Sequence, residues 1–175
     1  LMSYAGLCSG QNMQTNSDPY FHAGSIAEIS ATLDSNNRQS CGIKNALNNA
    51  IPQIQLAKTS YTIPANTAFV LNASATDNDL DPLSYAWEQV DAGGINGGTA
   101  NSSEFRSDNG YNPLFRSFSA TSQTQRYFPK LNSVITDQLS DGEVYPTTER
   151  TLTLRLTARD NRGGVNSADV KVAIV

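Results

Sequence analysis

Near the end of the sequence, Leu152, Leu154 and Leu156 alternate with Thr and Arg, and Ala168, Val170, Val172 and Ile174 alternate with Asp169, Lys171 and Ala173. Successive side chains of an extended chain point to opposite faces, so a period of two puts each apolar set on one face of a half-buried strand. Between the two runs, Asp160-Asn161-Arg162-Gly163-Gly164 concentrates residues that accept turn geometry, and the pair reads as a β-hairpin. A hairpin with two long apolar stripes is not stable alone and needs a second apolar surface to cover it.

The same period recurs upstream. Phe69, Leu71, Ala73 and Ala75 form one stripe, Leu83, Tyr85 and Trp87 another, and Ile54-Gln55-Leu56 and Tyr61-Thr62-Ile63 supply two shorter ones. Turn residues separate these runs at roughly 8 to 12 positions, the spacing of sandwich strands. With 38% hydrophobic and only 16% charged residues, the composition favours strands over long helices. The expected fold is mainly β: an antiparallel Ig-like β-sandwich of about seven strands, with the single tryptophan, Trp87, in its core.

Residues 1–50 read differently. Ser25-Ile26-Ala27-Glu28 has the form of a capping box, in which Ser25 and Glu28 satisfy each other's backbone amides at a helix start. Ile26, Ile29 and Leu33 follow at helical spacing, and Asp34-Ser35-Asn36-Asn37 ends the run with turn formers. One short amphipathic helix is expected, docked through that stripe on the sandwich or on a neighbouring molecule. Cys8 and Cys41 bracket the region. As a disulfide they would staple it, contributing roughly 3 to 4 kcal/mol in the chain-entropy model and placing it in an oxidising compartment. A pair of buried free thiols is the other reading. The sequence thus divides into a small helical, stapled unit over 1–50 and a sandwich over 51–175. A long insertion interrupts the sandwich over about 91–149, where the regular spacing fails. It holds Phe105-Arg106-Ser107, Phe115-Arg116-Ser117-Phe118 and Arg126-Tyr127-Phe128-Pro129. Arginine and aromatic residues suit a binding face. The plainer reading, which we prefer, is a satellite core with arginines paired to nearby carboxylates.

The net charge of -4 and the lack of any Lys/Arg cluster argue against a nucleic-acid partner, whose phosphates demand many cationic contacts. No apolar run approaches the ~20 residues of a membrane span.

Leu1-Met2-Ser3-Tyr4-Ala5-Gly6 resembles the Met-turn of metzincin zinc proteases, and the likeness continues through Cys8, Asn12, Asp18-Pro19-Tyr20-Phe21-His22 and Ser25 to Glu28. From that turn onward the sequence is similar to bacterial secreted reprolysin-like enzymes. These carry an appended Ig-like, cadherin-like (PKD-like) domain whose patterns match Asp77-Asn78-Asp79-Leu80-Asp81, Tyr85-Ala86-Trp87-Glu88 and Arg159-Asp160-Asn161-Arg162-Gly163-Gly164. The resemblance implies a secreted or cell-surface bacterial protein whose parent is a zinc endopeptidase acting on protein substrates. In it Met2 would lie beneath the zinc-binding histidines, and Tyr4 would reach the metal or steady the tetrahedral intermediate. A buried aromatic bonded to backbone is an equal reading of Tyr4.

The family's zinc motif, His-Glu-x-x-His-x-x-Gly-x-x-His, is missing from this sequence, which has one histidine, His22. A site of that kind needs three protein ligands around an open position, and His22 is read as having no ligand role. The expectation is a non-catalytic fragment, with Zn2+ belonging to the parent enzyme. The sandwich would then be accessory, positioning the enzyme or binding substrate or a surface. The competing reading is a stand-alone extracellular adhesion or ligand-binding module.

One metal site is offered by the residues themselves. In Asp77-Asn78-Asp79-Leu80-Asp81, alternate carboxylates converge on one side of a turning loop, as hard Ca2+ requires, and Asp160 is an expected extra ligand across the sandwich. The run lacks the glycine and terminal glutamate of an EF-hand loop. A turn in which these side chains bond their own backbone amides, beside Pro82, is the other reading.

Overall fold

In the computed structural model the described residues are 14–34, 43, 45–91 and 107–175. Met2, Tyr4, Cys8 and Cys41, and with them the Met-turn and disulfide readings, lie outside the described residues, as does Phe105-Arg106. In chain order the elements are α1 (Ala23–Asp34), β1 (Gln53–Leu56), β2 (Ser60–Ile63), β3 (Phe69–Thr76), β4 (Ser84–Gln89), β5 (Gln125–Phe128), α2 (Leu131–Thr136), β6 (Arg150–Arg159) and β7 (Val165–Ile174).

The C-terminal hairpin is the spine of the fold. β6 and β7 pair antiparallel, with Leu152 opposite Val172, Leu154 opposite Val170 and Leu156 opposite Ala168. β4 adds on the other side of β6, bringing Trp87 opposite Leu156. The resulting four-stranded sheet, ordered β2-β7-β6-β4, faces a three-stranded sheet ordered β1-β3-β5. Between them lie Leu71, Trp87, Phe128, Leu152, Leu154, Leu156, Val170, Val172 and Ile174. Burying a side chain of this size stabilises by about 1.5–3 kcal/mol, so the inward stripes dominate the folding energy. The Trp87 Nε1–H donates to the Thr124 carbonyl at 2.9 Å, which lets an indole sit in an apolar core.

The structure departs from the sequence reading in three places. First, the sandwich is not wholly antiparallel: β2 runs parallel to β7, with Tyr61 opposite Val172 and Ile63 opposite Ile174. The short connection over 57–59 moves the chain from one sheet to the other. A period-two pattern fixes which face is buried but says nothing about strand direction.

Second, the stretch expected to be an insertion contains β5, a sandwich strand paired with β3 so that Phe128 lies opposite Phe69. Phe69, Phe115 and Phe128 cluster around it, with ring centroids 5.0 Å apart for Phe69–Phe128 and for Phe115–Phe128. The irregular part is tied down by short bridges, Arg116 N–H to Gly142 O at 2.6 Å and Val144 N–H to Leu114 O at 3.2 Å. Asp108 fixes it further, accepting from the Thr147 and Thr148 amides at 2.9 and 3.0 Å and from Arg150 Nη1 at 3.1 Å.

Third, α1 starts at Ala23, not at Ser25. His22 is the N-cap: its Nδ1 accepts the Gly24 N–H at 3.0 Å and its carbonyl accepts the Ile26 N–H at 3.1 Å. The stripe that was expected to dock does so only in its first turn. Ala23 is buried and Ile26 half-buried, while Ile29 and Leu33 are exposed.

Candidate functional site

The loop after β3 and the β6–β7 turn meet at one end of the sandwich, and the acidic residues singled out in the sequence converge there. Asp77 is buried, at 8% exposure. Its Oδ1 accepts the Asp79 N–H at 2.8 Å and the Asp81 N–H at 3.4 Å, while its carbonyl accepts the Leu80 N–H at 3.2 Å. That is the Asx turn of the plainer reading. The turn leaves Asp77 Oδ2, which is shielded from solvent, with no hydrogen-bond partner.

Asp79 is exposed and its Oδ2 accepts the Ala50 N–H at 2.5 Å. Asp81 Oδ1 lies 2.7 Å from Arg162 Nε. One carboxylate oxygen from each of Asp77, Asp79 and Asp81 falls within 4.8 Å of the other two. Two ligands on opposite sides of Ca2+, at bonds of about 2.4 Å, are separated by about that distance, so the spacing fits one shared hard cation.

Asp160 is placed beside this group but serves the turn. Its Oδ1 accepts the Arg162 N–H at 2.7 Å and the Gly164 N–H at 2.9 Å, and its Oδ2 accepts from Asn49 Nδ2 at 2.6 Å. Burial pushes its carboxyl up, and the Arg162 amide, the Asn49 side chain and the Gly164 amide together hold it below the usual range. The structure therefore brings Asp77, Asp79 and Asp81 together and gives the Asp160 lone pairs to backbone and Asn49. The need for glycine at 164 follows: a Cβ there would stand 2.1 Å from Asp160 Oδ2 and 3.0 Å from the Ala50 carbonyl.

Asn49 and Ala50 were not foreseen as part of this end. They belong to the entry into β1, where Asn166 Nδ2 also donates to the Pro52 carbonyl at 2.8 Å. Nothing local in the sequence marks a bond spanning 111 positions, as Asn49–Asp160 does. His22 lies elsewhere, at the cap of α1, and is not one of the clustered acidic group.

The arginine and aromatic motifs build a separate cluster. Arg126 donates from Nη2 to Glu143 Oε1 at 2.6 Å and to the Arg116 carbonyl at 2.7 Å, and from Nη1 to the Trp87 carbonyl at 2.5 Å. Glu143 is fully buried and its Oε2 accepts the Lys130 N–H at 2.6 Å. Phe118 lies under three cations, with Arg126 at 4.7 Å, Lys130 at 5.5 Å and Arg116 at 5.6 Å from its ring centre. Burial pushes the Glu143 carboxyl up and the Arg126 guanidinium down, each against the pull of its partner.

No family model matches this chain, and no curated protein matches it. Among solved structures it is similar, at 10% identity and a TM-score of 0.40, to the fibronectin(III)-like modules of Clostridium thermocellum CbhA. The likeness covers 71% of this chain and 47% of that one, so the chain spans about half the length of that structure. Among the described residues no helix is long and apolar enough to cross a membrane.

Proposed function

We propose that this chain is a non-catalytic accessory module that binds Ca2+ through Asp77, Asp79 and Asp81. We further propose that it forms the part of a secreted, reprolysin-like zinc endopeptidase from the Met-turn onward. The carrying observation is the Asp77 Oδ2 atom, buried without a partner beside two more carboxylates. A buried acceptor left unpaired costs about 1–3 kcal/mol, more when charged, and a cation removes that cost. Carboxylate and carbonyl oxygens select hard Ca2+ over the softer transition metals. The competing cation, Arg162, pairs among the described residues with Asp81 and its side chain is mostly exposed, so displacing it costs little.

The ion would supply no bond-breaking chemistry. Its neighbours already join the entry to β1, the loop after β3 and the β6–β7 turn, and Ca2+ would tighten that junction. In the parent enzyme Met2 and Tyr4 would support the zinc centre, while the histidines holding Zn2+ and the protein substrate would belong to the preceding part of the chain. Extracellular modules bind Ca2+ at about 10⁻⁴–10⁻³ M, which suits a secreted or cell-surface bacterial protein.

The test is a thermal melt of the chain in chelator and then in about 5 mM Ca2+, a concentration that stabilises the fold by about 2 kcal/mol if the dissociation constant is about 10⁻⁴ M. Asp77→Asn should keep the fold and lose the shift. An unchanged melting temperature in Ca2+ would remove the metal assignment. Reading the gene upstream of Leu1 tests the enzyme separately: a three-histidine zinc motif supports it, and a signal peptide directly upstream without that motif refutes it in favour of a stand-alone module.

A further inference from the structure

Glu88 belongs neither to the core nor to the acidic loop. Its neighbour Trp87 packs inward, and the cross-strand row Glu88, Arg155, Asp169 lies on the opposite, outward face of the four-stranded sheet. Such positions are ordinarily wet, yet Glu88 is fully buried. The N-terminus of α1 covers it. Glu88 Oε2 accepts the Ala23 N–H at 3.0 Å, and Oε1 lies 3.8 Å from His22 Nε2. Because His22 Nδ1 accepts the Gly24 amide, the neutral ring carries its proton on Nε2, facing that carboxylate. A buried glutamate thus meets the positive end of a helix, the arrangement in which its charge is best compensated.

Arg116, partly exposed, supplies a contact of the opposite sign. Its guanidinium donates to Gln14 Oε1 and lies 3.9 Å from Asp18 Oδ2. Next to it Ser117 hydrogen-bonds the Tyr20 side chain. The apolar residues of α1 are covered only at its start, where Ala23 is buried and Ile26 half-buried. A groove of about 260 Å³, open to solvent and lined by Ala23, Ile26, Ala27, Arg155, Thr157 and Val165, runs between α1 and the sheet. Polar contacts at positions 14 to 23 join the segment to the sandwich.

We infer that Glu88 on β4 and Arg116-Ser117 in the loop between β4 and β5 form a charge-matched receptor for residues 14–26. This latch, more than the covalent connection before β1, fixes the helical segment on the sandwich. The partner it fits is a capped helix start preceded by an acidic turn, here Asp18-Pro19-Tyr20-Phe21-His22-Ala23. Every contact of the latch is within this chain, whether or not the parent is a protease.

The test uses the whole chain with a site-specific protease recognition sequence inserted between Leu47 and Asn48. The cut lies after Cys41, so any bond between the two cysteines stays within one fragment. After cutting, the two parts should co-elute in size-exclusion chromatography at micromolar concentration. Glu88→Gln should speed their separation at least about tenfold, the effect expected when a fully buried charge is removed, and Arg116→Gln, whose pair with Asp18 is partly exposed, should speed it by about two- to fivefold. Asp18→Asn, on the docked segment and outside the sandwich, should do the same in direction, and it keeps the test decisive if Glu88→Gln disturbs β4. Wild-type parts that separate on cutting, or variants that hold as tightly as wild type, would overturn the latch.

Discussion

Deleting the Glu143 carboxylate should be among the most damaging single changes in this protein. The Arg126 guanidinium beside it is nearly enclosed, bonded to Glu143 and to the carbonyls of Trp87 and Arg116, and stacked 4.7 Å from the Phe118 and Phe128 ring centres. Glu143→Ala strands that charge and also orphans the Lys130 amide. Breaking a buried ion pair from one side costs about 3–5 kcal/mol, and the lost amide bond adds about 1. Arg126→Ala should cost a similar amount, because it leaves the Glu143 carboxylate buried and unpaired. The double variant, Arg126→Ala with Glu143→Ala, removes both charges, and its loss should fall short of the sum of the single losses by about 2 kcal/mol or more. Urea unfolding followed through Trp87, the single and buried tryptophan, measures all three. Single losses below about 1 kcal/mol, or losses that add within about 0.5, would refute the claim that this pair holds the β4–β5 loop and α2 onto the sandwich.

Two further outcomes follow from turns and clamps. Gly164→Ala should destabilise by about 1–3 kcal/mol, since its Cβ would collide with the Asp160 carboxylate, and a melt that leaves the transition unmoved would contradict that geometry. For Asp108, burial pushes the carboxyl up, but the amides of Gly110, Thr148 and Thr147 and the Thr148 hydroxyl hold it below its ordinary value. A depressed folded value means the stabilisation is complete above the unfolded value and is lost as pH falls through the folded one. Asp108→Asn should therefore be less stable at pH 7 and show a shallower decline below about pH 4, measured as urea midpoints across pH. Parallel curves for the two proteins would remove Asp108 from the acid response.

How far the fold was legible depended on where each signal is stored. The stripes of β3, β6 and β7 were readable because residues of one face sit two positions apart and alternate with those of the other, and Leu152, Leu154 and Leu156 are all fully buried. β5 was not readable, because in Gln125-Arg126-Tyr127-Phe128 burial rises from exposed Gln125 through half-buried Arg126 and Tyr127 to fully buried Phe128 and no alternation survives. The start of α1 was misplaced because a good local cap at Ser25 lost to a cap from His22 joined to a glutamate on β4. The acidic loop was found from its spacing. Its neighbours Asn49 and Ala50 were not, nor was the occupation of Asp160 by the turn it closes.

The sequence by itself determined which faces are buried, where the last hairpin turns and which carboxylates share a loop, since all of these depend on neighbours a few positions apart. The tertiary structure alone decided that β2 runs parallel to β7, that Asp77 keeps an unpartnered oxygen inside its turn, and that an outward-facing Glu88 is sealed under a helix. The first and last of these depend on groups brought together across 65 positions or more, as Ala23 and Glu88 are, and the last two on the electrostatic cost of shutting charge away from water.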